Sequence, residues 1–66
     1  MQIEFHYAQN IASIYLEQSA EESLKEGATA LADQFWLAYD DANTAKTLTE
    51  LEMIFEKLGI DLGDLF

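Results

Sequence analysis

The chain has no cysteine, no valine and no arginine, and each absence narrows what the protein can be. Without cysteine there is neither a disulfide frame nor a thiolate metal site. With no arginine and only three lysines, nothing can displace counterions from phosphate over a wide surface, and no guanidinium is available to read guanine. Direct nucleic-acid binding is therefore not expected. The formal charge of -10 argues equally against an anionic membrane surface. The single histidine, His6, and the lack of a thiol nucleophile leave little from which to build an active site, so no enzymatic role is expected. No run approaches the ~18 apolar residues of a membrane span. Met1 to Tyr7 carry neither the basic stretch nor the apolar run of a targeting segment, and a cytoplasmic protein is the expectation.

What the chain does have is acid and apolar bulk. Thirteen Asp and Glu accompany a 50% hydrophobic composition in 66 residues. That length allows one domain, 1–66, and a body this small buries only about 60% of the surface its unfolded chain exposes. The apolar content exceeds what such a body hides easily, so a homo-oligomer, with a homodimer as the simplest form, is expected.

Leu and Ala occur nine times each and valine never, which favours helix over sheet. The expected fold is mainly α, a small helical bundle built on an antiparallel helical hairpin of about 20–42 and 48–58. The last helix is the best marked. Thr47 and Glu50 have the spacing of a capping box, Leu48, Leu51, Ile54, Phe55 and Leu58 share one arc, and Gly59 suits a left-handed closure with Ile60 folding back on Phe55. A middle helix is expected to start after Ser19, paired with Glu22 as a second capping box. Its core seam would be Leu24, Ala28, Leu31, Phe35, Ala38 and Ala42, and Asn43 would take the left-handed turn that ends it.

Residues 2–18 admit two readings. A β-hairpin over about 2–17, turning at Gln9 and Asn10 and packed on the two helices, would make the fold α+β. It would pair Phe5 with Ile14 and Tyr7 with Ala12 but lacks a turn glycine. A helix from about Tyr7, aligning Ile3, Tyr7, Ile11 and Ile14, is preferred. The tail from Gly59 to Phe66 is too apolar to hang free, and either covers its own hairpin or enters a neighbour.

Two site motifs fail on inspection. Asp41, Asn43, Thr47 and Glu52 fall at positions of a calcium-binding EF-hand count, but Ala45 stands where an oxygen ligand is needed and Lys46 where the sharp turn needs glycine. Carboxylate pairs do acid and base work only where a pocket separates their pKa values, which so short a chain rarely builds. No metal, cofactor or catalytic residue is expected.

The remaining feature is an acidic row. On one continuous helix, Glu22, Glu26, Asp33 and Asp40 would lie opposite the seam in a line of about 27 Å at 1.5 Å per residue. A solvated face is the plain reading of any charge run. Two observations point further: almost no lysine relieves the row, and Trp36 and Leu37 stand beside it, serving either as contact anchors or as packing against the amino-terminal segment. The expected function is a small acidic protein-interaction module. It would be a regulator or inhibitor that docks on a basic surface of a larger protein, with Glu22, Glu26, Asp33, Trp36, Leu37 and Asp40 at the contact. Mimicry of nucleic-acid phosphates, of the phage or mobile-element type, is its narrower form. The alternative is a structural self-assembling helical module with no inhibitory role.

Overall fold

The first helix owes its start to Glu4. In the computed structural model, which describes residues 4–66, Glu4 is extended and its carboxylate accepts from the backbone N–H groups of His6 and Tyr7 at 3.0 and 2.9 Å. Two donors that no earlier carbonyl can reach are thereby satisfied, and α1 runs over Phe5–Lys25. The cap expected at Ser19 is not used. Residues 17–22 contain no helix breaker, and Ser23 Oγ donates to the Ser19 carbonyl at 2.8 Å, a bond made only inside a continuing helix.

The break comes instead at Gly27, where φ is +80°. Its N–H reaches the Leu24 carbonyl at 3.1 Å and that of Ala28 reaches the Ser23 carbonyl at 2.8 Å, a complete Schellman closure. Helix α2, Thr29–Thr44, follows directly. The single helix expected over about 20–42 is therefore the end of one helix and most of the next. The bundle stands, but its main hairpin is α1 against α2.

The β-hairpin expected as the alternative over 2–17 is not formed, because a helix buries a stripe that a strand would split between two faces. That stripe is Ala8, Ala12, Leu16, Ala20 and Ser23. It is not the stripe of large residues expected for a helix: Tyr7 is 55% exposed, Ile14 is exposed and Ile11 only half-buried, while Ile3 lies outside the described residues. On α2 the facing residues are all small, Ala32, Ala38 and Ala42, whereas Leu24 and Leu31 of the expected seam are 49% and 44% exposed. Alanine at the contact lets two helix axes approach to the short end of the usual range. The large side chains then project at the flanks.

The hairpin is closed at its open end by a side chain from the other helix. Gln9 Nε2 donates to the carbonyls of Ala42, Asn43 and Ala45 at 2.8, 3.4 and 3.1 Å, and Ser13 Oγ donates to Asn43 Oδ1 at 2.7 Å. Asn43 does not take the left-handed turn expected of it. It stays in α2, fixed by Ser13, and the chain leaves through Ala45, which is extended.

Helix α3, Leu48–Lys57, has the expected start and finish. Thr47 Oγ1 accepts from the Glu50 N–H at 3.2 Å. The return bond goes one residue further back than a capping box requires, from the Lys46 N–H to Glu50 Oε2 at 3.0 Å. Gly59, at φ +75°, closes the helix as Ile60 N–H meets the Phe55 carbonyl at 3.0 Å. A short 3-10 turn over Leu62–Leu65, begun by Asp61 accepting from the Gly63 N–H at 2.9 Å, carries Leu62 into the core. The tail thus covers its own bundle, and Phe66 meets Tyr7 with ring centres 6.1 Å apart.

The core is confined to one end. Leu51 and Phe55 of α3 and Leu62 of the tail pack with Ala8, Ala12, Leu16, Ala38, Ala42 and Ala45, and Tyr15 reaches Phe55 at 6.0 Å between ring centres. Ala20, Ser23 and Ala32 are buried but lie outside that cluster. A two-helix stem therefore extends beyond a three-helix head, and the molecule measures 37 × 20 × 18 Å.

Candidate protein-docking surface

The Gly27 turn decides which of the expected contact residues meet. Glu22 lies in the last turns of α1 and Glu26 is its C-terminal cap, so the acidic row does not run along one helix. Asp33, Trp36, Leu37 and Asp40 all lie on α2. At ~100° per residue they fall within an arc of roughly 100°, centred opposite Ala38 and Ala42. Asp33 and Asp40 are exposed, and Leu37 is 66% exposed. Leu37 is thus not packed against the amino-terminal segment. Trp36 is half-buried, its ring edge-on to Tyr39 with centres 5.5 Å apart and planes at 83°.

The charge on α2 is of one sign. The helix carries Asp33, Asp40 and Asp41 and no cation, in its last turn or elsewhere. Asp40 and Asp41 sit near the carboxyl end, where the unpaired carbonyls already carry partial negative charge. Neutral donors answer those carbonyls: the Gln9 amide from α1, and Thr44 Oγ1 to the Asp40 and Asp41 carbonyls at 3.2 and 3.1 Å. The aspartates themselves are left to solvent or to a partner.

Beside this face, sequence reasoning missed a groove. Leu37, Ala38, Ile54 and Leu58 line it between α2 and α3, with Gln34, Asp41 and Lys57 at its edges. The spacing of Ile54 and Leu58 places them only on one arc of the last helix. Both are half-buried, packed against the core on one side and bordering the groove on the other. Which residues α3 meets on α2 is a tertiary property that the spacing does not carry.

Elsewhere the polar clusters are structural. His6 is exposed and shares a shallow hollow with Gln9, Ser13, Glu17 and Asn43, but Gln9 and Ser13 are engaged in closing the hairpin. Asp41 and Asn43 stand inside α2 and Thr47 caps α3, so the 41–52 segment is not a cation loop. Among the described residues no group of three or more His, Cys, Asp or Glu is placed to hold a metal ion. None of their helices is long and apolar enough to cross a membrane. Comparison with protein-family models, with curated proteins and with solved structures finds no match to the chain.

Proposed function

We propose that the protein is a small acidic interaction module, a regulator or inhibitor that docks through α2 on a basic surface of a larger cytoplasmic protein. The observation that carries the reading is Leu37, 66% exposed between Asp33 and Asp40 on a helix without a single cation. A large apolar side chain framed by like charges is an arrangement that costs stability in isolation and gains from a partner that neutralises one part and buries the other. The acidic field speeds encounter and the apolar anchor slows release. Glu22 and Glu26, across the turn, extend the field rather than the contact line. Imitation of nucleic-acid phosphates is the narrower form of the same mechanism, in which the partner's groove normally holds a nucleic acid.

The test is recovery of the partner on immobilised protein with a salt gradient, followed by surface binding at two salt concentrations. Asp33→Lys with Asp40→Lys is expected to leave the helical signal intact and to cost several kcal/mol of affinity. Trp36→Ala is expected to raise the dissociation rate more than it lowers the association rate. Affinity that ignores both salt and the lysine pair would leave the face as a solubilising surface only. Self-assembly is the second reading, favoured by the exposed Leu24 and Leu31 of the stem. Light scattering that gives a mass above 7.5 kDa at micromolar concentration would support it.

A further inference from the structure

We propose that the groove between α2 and α3 receives the apolar ridge of a basic amphipathic helix, an inference that rests on the docking reading above and specifies what docks. The floor is apolar along its length, with Leu37 and Ala38 from one helix and Ile54 and Leu58 from the other. A groove between two neighbouring helices is a shape that a third helix with residues at i, i+3 and i+4 spacing fills. Met53, 53% exposed, lies outside the groove in a separate hollow beside Lys57 and Glu56.

Charge selects the occupant. Asp41 borders the groove on the α2 side, Asp33 and Asp40 are exposed on the adjoining face of that helix, and a second copy of the chain would bring another -10 to a surface already at -10. A helix with lysine or arginine flanking its apolar ridge is attracted where a second copy is repelled. Lys57 is the exception on the rim, a like charge to such a partner, and it supplies a test of sign.

The probe is a synthetic helical peptide with leucines on one face and lysines elsewhere. Its control has every leucine replaced by alanine, so that charge and helicity are kept and the ridge is lost. Methyl NMR is followed during titration of each into the full chain. The groove predicts saturable shifts at Leu37, Ile54 and Leu58, affinity weaker by about tenfold or more for the control, a similar loss for Leu37→Lys, and tighter binding for Lys57→Glu. Leu37 and Lys57 are both exposed, so neither change disturbs the core. Equal binding of both peptides, with no shifts at Ile54 and Leu58, would overturn the groove and leave the charged α2 face standing. If neither peptide binds, the groove proposal falls, and the docking reading stands or falls on its own salt and lysine-pair test. Should the free protein prove a dimer with those methyls already shielded, the occupant is a second copy and the basic-helix proposal is wrong.

Discussion

The head and the stem of this molecule are made from the same two helices yet hold together differently. In the head, α1 and α2 are covered by α3 and the tail, and Leu16, Leu51 and Phe55 are fully buried. In the stem only Ala20, Ser23 and Ala32 are buried, and Leu24 and Leu31 stand half in water. Alanine contacts let the helices approach but remove little apolar area, and at roughly 25 cal/mol per Å² the head carries most of the hydrophobic stabilisation. The face proposed for docking straddles the boundary, with Asp33 toward the stem and Asp40 over the head.

The strongest way to break this contrast is to cut one large side chain from each end. Phe55→Ala is expected to destabilise by about 3–5 kcal/mol, as for a buried aromatic with no room to collapse, whereas Leu31→Ala should cost less than about 1 kcal/mol. Urea denaturation midpoints for the pair decide it, and similar losses would mean that the stem is covered in solution. Next in size is Gln9→Ala, which strips the hairpin's open end of the donor to the Ala42 and Ala45 carbonyls. A loss of about 1–3 kcal/mol is expected, with faster amide exchange at the end of α2.

Gly27→Ala probes the stem's tip. No neighbouring atom lies within 4 Å of the added Cβ, so the cost is conformational alone, about 1–2 kcal/mol for a left-handed alanine. Calorimetry on that variant measures whether the turn is as rigid as its two Schellman bonds suggest. Thr47→Ala should cost about 1 kcal/mol in the same assay through loss of the α3 cap.

The smallest effect concerns Glu4. The backbone N–H groups of His6 and Tyr7 hold its carboxyl below the ordinary 4.5. A lowered folded value means that the cap's contribution is fully present above 4.5 and is lost as pH falls through the lowered value. The difference in midpoint between the protein and Glu4→Gln should therefore be constant near neutrality and vanish in acid. A difference that persists in acid would show that the carboxylate's charge plays no part in the cap.

Where sequence reading succeeded, the signal was local. Thr47, Gly59 and Ile60 each act on backbone groups a few residues away, so α3 and its closure could be placed without knowing what lay across from them. The Ser19 cap shows the limit of the same logic. Ser19 and Glu22 have the right spacing, but a cap forms only where the chain leaves the helix, and the exit was decided by Gly27. The candidate contact was half legible: Asp33, Trp36, Leu37 and Asp40 do share one face, while Glu22 and Glu26 fell out of line once the helix broke. Size misled as well. The spacing of Ile3, Tyr7, Ile11 and Ile14 predicts a stripe of large residues, whereas α1 buries Ala8, Ala12, Leu16 and Ala20.

The sequence by itself determined the helical class, the acidity, the scarcity of basic side chains, the lack of thiols, and the ends of α3, because composition and short-range capping need no partner. Tertiary structure decided the rest. It set alanines, with Leu16 among them, at the interface in place of Leu24 and Leu31, since close approach of two helices gains from many short contacts. It set Gln9 on carbonyls thirty-odd residues away, folded the tail onto its own core, and opened the groove of Leu37, Ile54 and Leu58. Each depends on which surfaces meet in space, and one-dimensional spacing does not encode that.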